Sequence, residues 1–203
     1  MSGIIKQNIN RQSGLVKAPS GGGGAWNFIS KQTASASATL DFTSGIDSTY
    51  SEYMFYISNI HPATDDQNFL FQVNASGQSG YNETITSARH LLYRVESGTS
   101  MSFGNHTGTD QAQGTAFQAI AEGVGNDADH SVSGWLAISN PSSTTFVTNF
   151  WGQIITPRHN DAANDEYTAG YVNTTGAITN VQFKFASGNI DSGSIFLHGL
   201  STT

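Results

Sequence analysis

From residue 26 onward the chain reads as a series of short segments in which apolar and polar residues alternate, the period of a half-buried strand. The organising stretch is Ser131 to Thr156, where two β-branched and aromatic runs flank Asn140-Pro141-Ser142-Ser143. Asn and Ser can bond the nearby backbone and Pro sets φ for a turn, so the stretch predicts a hairpin. Val132, Leu136 and Ile138 share one face of the first run; Phe146, Phe150 and Ile154 share one face of the second. Both faces are expected to meet in one core. Trp135 falls on the opposite face of the first run.

Further strands are predicted along the body. Trp26-Asn27-Phe28-Ile29 opens it, and Ala38 to Phe42 alternates. Glu52 to Ile60 is aromatic on both faces and ends at His61-Pro62, where proline stops the ladder. Phe69, Phe71 and Val73 follow, then Leu91, Tyr93 and Val95, with a weaker strand over Ala116 to Glu122. After the hairpin come Glu166 to Asn173, the Val181, Phe183, Phe185 strand, and Ser194 to Leu200. About ten short strands with turn residues between them predict an all-β fold, a two-sheet sandwich of jelly-roll-like topology. No internal repeat and no helical pattern interrupts the series.

Composition agrees. The chain of 203 residues is the size of one sizeable domain, or of a domain with an appended arm, and only 11% of it is charged. There is no cysteine, so disulfides and thiolate metal sites are excluded. No stretch approaches the ~20 apolar residues of a membrane span, and the first residues lack the apolar centre and cleavage site of a signal peptide, so neither membrane nor export is expected.

Charge changes the picture. The net charge is −7, but Lys6, Arg11, Lys17 and Lys31 make up half of the 8 basic residues, and no acid precedes Asp41. An acidic body argues against nucleic-acid binding; a basic arm argues for a partner of its own. Residues 1–18 set Ile4, Ile5, Ile9, Leu15 and Val16 among polar residues without a sustained period, and Pro19-Ser20 with four glycines reads as a linker. The predicted organisation is therefore 1–24, an extended arm and Gly-rich linker, and 25–203, the β-domain. The plain reading of the arm is a disordered terminus. The functional reading is an attachment element, with Ile4, Ile5, Ile9, Leu15 and Val16 seeking apolar grooves and Lys6, Arg11 and Lys17 an acidic surface. Eighteen residues fully extended reach at most roughly 60 Å.

The residues suggest little chemistry. Six histidines are scattered without metal-ligand spacing. Two stretches, Asn126 to His130 and His159 to Glu166, hold Asp and Asn in the density that Ca²⁺ prefers, but neither follows the EF-hand pattern, and solvated turns are the simpler reading. Gly77-Gln78-Ser79-Gly80 stops short of a nucleophile elbow, and no Gly-Lys-Ser/Thr follows the four glycines. No catalytic residue, cofactor or metal site is assigned. Trp26, Trp135 and Trp151 lie in strand-like segments, where packing or a subunit interface outweighs sugar stacking.

Thr39 to Tyr50, Glu52-Tyr53, Asn59 to Asp65, Asn140 to Thr145 and Ser187 to Gly193 together resemble a group of tailed-bacteriophage virion proteins. The resemblance spans residues 33 to 200 and implies a non-enzymatic structural role. Two positions on a virion are compatible with it. One is a capsid decoration, or cement, protein whose arm lies on the major capsid protein; the other is a tail-fibre or receptor-binding module for host surface glycans. A short arm on one compact body, without a long shaft, favours the first. A homotrimer is expected from the aromatic content of both faces of Tyr53 to Ile60 and from the habit of the group resembled.

Overall fold

The computed structural model describes residues 25–98 and 100–201. Among these there is no helix, and the expectation of an all-β protein is borne out. Twelve strands follow in order: β1 (Trp26–Thr33), β2 (Leu40–Phe42), β3 (Glu52–Pro62), β4 (Gln67–Ala75), β5 (Ile85–Val95), β6 (Met101–Asn105), β7 (Gln118–Val124), β8 (Val132–Ser139), β9 (Thr148–Arg158), β10 (Ala162–Val172), β11 (Ile178–Phe185) and β12 (Ile190–Leu200). All pair antiparallel, in the path β1-β12-β3-β8-β9-β7-β4-β11-β2, while β10 takes the other edge of β9 and leads to β5 and β6.

The sheet curls until it nearly closes. Phe55 on β3 meets Phe183 on β11 with ring centroids 5.3 Å apart and Phe42 on β2 at 5.1 Å, and Phe71 on β4 meets Phe150 on β9 at 5.0 Å. Strands distant in the path thus face each other across one core. The two ends of the path also approach: a Cβ at Gly45, beyond β2, would stand 2.7 Å from Ile29 Cγ2 on β1. Phe183 touches four rings, those of Phe42, Phe55, Phe69 and Phe71, and each fully buried ring contributes about 1.5–3 kcal/mol of burial free energy.

A line of irregularities bends the sheet. In β3 the inward residues Tyr53, Phe55 and Ile57 keep a period of two, but the next buried apolar residue is Ile60, because the register shifts between Ile57 and Ile60. Asn59 there has φ 51°, and Gly193 in the neighbouring bulge of β12 has φ 108°. An extra residue per strand increases local bend and twist, which a curled sheet requires.

The central hairpin is present. β8 and β9 pair from Ser133 with Ile155 to Ser139 with Asn149, and Val132, Leu136, Ile138, Phe150 and Ile154 are all buried. Two details differ from expectation. The connection spans eight residues, 140–147, and Phe146 lies in it, exposed rather than in the strand. Ser143 Oγ accepts the N–H groups of Thr145 and Phe146, so this loop is held by a hydroxyl cap rather than by strand pairing.

Candidate functional site

Ile4, Ile5, Lys6, Ile9, Arg11, Leu15, Val16 and Lys17, the residues expected to bind a partner, lie outside the described residues. What is described is where the arm joins. Ala25 O accepts from Ser201 N at 3.0 Å and from Asn27 Nδ2 at 3.1 Å, which fixes the start of β1 beside the end of β12.

From that edge a band of aromatic side chains runs across the outer face of the sheet. Strand register places Lys31, Phe196, Tyr56, Trp135, Gln153 and Tyr167 in one row, from β1 through β12, β3, β8 and β9 to β10. A second row, two residues along, holds Phe28, His198, Met54, Ala137 and Trp151. A third, on the other side, holds Ile155, Asp165, Leu92 and Phe103. The rings interlock, Tyr56 on Phe196 at 6.4 Å and Phe28 edge-on to His198 at 5.8 Å, with Lys31 Nζ 5.1 Å over Phe196. Phe103 is 72% exposed and Tyr56 49%. A sheet face turned to water ordinarily carries polar residues, and this one departs from that pattern. The sequence signals Trp135, Trp151 and, through the two-faced aromatic run Tyr53 to Ile60, Tyr56; the rows depend on register between strands and are invisible in it.

The two acidic stretches converge. Asp127, His130 and Asp161 bring one ligand atom each within 4.8 Å of one another. His130 N donates to Asp127 O at 2.8 Å, and His61 Nδ1 lies 2.7 Å from His130 O, so the loop is held by its own backbone and by a β3 side chain. The second stretch departs from expectation: only its start is a turn, and Ala162 to Glu166 belong to β10, alternating between interior and surface. Asn164 and Glu166 point inward while Asp165 accepts from Gln153 Nε2 at 2.8 Å, so these oxygens do not converge on one cation.

Inside, a network of charges closes the curl. One edge of β7 pairs with β4, and its other edge meets β9 by a single bridge, Val124 to Arg158. Side chains of β10 satisfy that edge at Glu122: Glu122 N donates to Glu166 Oε1 at 2.9 Å, and Asn164 Nδ2 donates to Glu122 O at 3.2 Å. Backbone groups buried without a neighbouring strand need such partners. Arg89 on β5 forms an ion pair with Glu166, donates to Thr109 Oγ1, and donates from Nε to Thr168 Oγ1 at 3.2 Å. Glu122 in turn lies 2.6 Å from His106 Nδ1 and 3.5 Å from Arg158 Nη2. Burial pushes the Glu166 carboxyl up to about 7, against the opposing pull of the Arg89 guanidinium. Both Glu166 oxygens are engaged within the protein, so the group's role is to join strands.

An open groove of about 540 Å³ between the β5–β6 turn and the start of β10 is walled by Arg94, Glu96, Asp129, His130, Ile155 and Pro157. It borders the third aromatic row at Ile155.

Comparison with protein-family models, with curated proteins and with solved structures found no match.

Proposed function

We propose that the chain is a non-enzymatic structural protein of a tailed-bacteriophage virion. In this reading it is a capsid decoration, or cement, protein on the outer surface of the head, held to the major capsid protein by residues 1–24. The observation that carries the reading is the separation of charge. Residues 25–201 hold five basic side chains (Lys31, Arg89, Arg94, Arg158 and Lys184) against fifteen acidic ones, a balance of −10, whereas residues 1–24 hold three basic and no acidic. An arm of opposite sign to its body, spaced by glycines and studded with Ile and Val, is suited to a surface other than its own body.

The architecture is compatible. The passage from β9 to β7 through one bridge supports reading the curled sheet as two layers of a jelly-roll-like sandwich, eight strands over four. Such a body resists deformation while the arm makes the attachment. In a homotrimer, several arms would engage neighbouring shell subunits together, so modest single affinities would combine through effective concentration. Nucleic acid, membrane and cofactors have no part in this reading. Its test is removal of residues 1–24: the remaining body should keep its thermal midpoint and lose binding to stripped heads. Undiminished binding by the truncated protein would overturn the arm as anchor.

One observation favours a second reading, a tail-fibre or receptor-binding module for host surface glycans: the aromatic band, since aromatic faces stack on sugar rings. Binding of the body to host polysaccharide, together with absence from heads, would establish it.

A further inference from the structure

We infer that the aromatic outer face of β1, β12, β3, β8, β9, β10 and β5 is the surface through which copies of this chain associate. The inference gives a location to the oligomer in the reading above, and it stands or falls without the virion assignment.

Size is the first ground. Fifteen row positions, about 4.8 Å apart between strands and about 7 Å apart between rows, give a footprint on the order of 500 Å². A standard protein interface takes about 800 Å² from each partner and weak, transient ones less than about 600 Å², so the face alone has the size of a weak contact. The largest apolar patch on a typical monomer is about 300–600 Å² and is often functional, and this face lies in the upper part of that range.

Charge is the second ground. Of the fifteen side chains in the three rows only Lys31 and Asp165 carry a formal charge, so fourteen of the fifteen acids of the chain lie elsewhere. A body at −10 repels its own copy through its other surfaces; through this face it does not. Lys31 stands on β1, at one end of the band, and Asp165 on β10, near the other. A copy laid along the band in the reverse sense, or following it head to tail, brings Lys31 of one chain to Asp165 of the next. Composition is the third ground, because Trp, Tyr, Phe and Met gather here as they do in the cores of protein interfaces.

The test is sedimentation equilibrium of the full chain from about 1 to 100 µM, with no shell present. An assembly of two or more 21.6-kDa copies is expected. Tyr56→Glu and Phe196→Glu, in the middle of the band, should each raise the dissociation constant at least about tenfold. Lys31→Asp and Asp165→Lys should each weaken association, and the two together should restore it, an outcome that damage to the fold cannot produce. Phe146→Glu, in the β8–β9 loop, should leave association unchanged. A monomer across the whole range, or Tyr56→Glu and Phe196→Glu proteins that assemble as the wild type does, would overturn the inference. A monomer whose tryptophan fluorescence shifts on adding host polysaccharide would also overturn it, and would assign the face to glycan instead. Loss of shell binding with association intact would leave it standing.

Discussion

Arg89 on β5 and Glu166 on β10 form an ion pair whose side chains are 1% and 0% exposed. The pair lies behind the edge of β7 that no strand covers along most of its length, and it holds the carboxylate that caps that edge. Above about pH 7, where Glu166 is ionised, removing one partner of the pair leaves the other charge buried, which costs about 3–5 kcal/mol. Arg89→Ala is therefore expected to lower the denaturation midpoint severely. Glu166→Gln keeps an oxygen for Glu122 N and leaves the Arg89 guanidinium facing Glu122 Oε2 at 3.9 Å, so it should cost less. Equal loss in the two variants, measured by urea unfolding, would contradict this division of roles.

The same carboxyl gives the fold a pH dependence of definite sign. Glu166 holds its proton up to about pH 7 in the folded protein but releases it near 4.5 when unfolded. Its contribution is fully present below about pH 4.5 and is lost as pH rises through about 7, on the order of 3 kcal/mol in all. Unfolding free energies of the wild type and Glu166→Gln, compared from pH 5 to 8, should converge or cross as pH rises, with the wild type losing more. A wild type that gains stability relative to the variant over that range would refute the assignment.

Gly193 takes φ 108°, and a Cβ there would run into the carbonyl oxygen of Asn59. Backbone on both sides leaves no soft atom to yield. Gly193→Ala is expected to destabilise the protein by about 1–3 kcal/mol through strain at the paired bulges. Thermal unfolding at an unchanged midpoint would show that the bend does not depend on this position.

Phe183 and Phe146 form a matched pair of tests for the core. Phe183 is fully buried among four rings, so Phe183→Ala should cost about 3–5 kcal/mol. Phe146 is exposed in its loop, and Phe146→Ala should change stability by less than about 0.5 kcal/mol. Calorimetry of the two variants decides this, and similar losses would mean that the loop packs as the sequence alone suggests.

Much of the fold is legible in the alternation of Phe69, Phe71 and Val73, or of Val181, Phe183 and Phe185, because one face of those strands is buried in an apolar core. Where the interior is polar, the same rule fails. Ala162, Asn164, Glu166 and Thr168 all point inward on β10, and a reading that sends polar residues outward takes the first half of that strand for a loop. β6 escapes for the opposite reason: its Met101 and Phe103 are apolar and point outward. The aromatic band is carried by individually ordinary residues, Tyr56, Trp135 and Phe196, that become a surface only through the register of β3, β8 and β12.

The most direct test of the decoration reading is electron microscopy of phage particles assembled in the presence of this chain. The account predicts copies of the β-body on the outer surface of the head, in contact with one another, with residues 1–24 continuing from Ala25 onto the major capsid protein. Density for the body on a tail fibre, or heads that bind it without contact to residues 1–24, would contradict it.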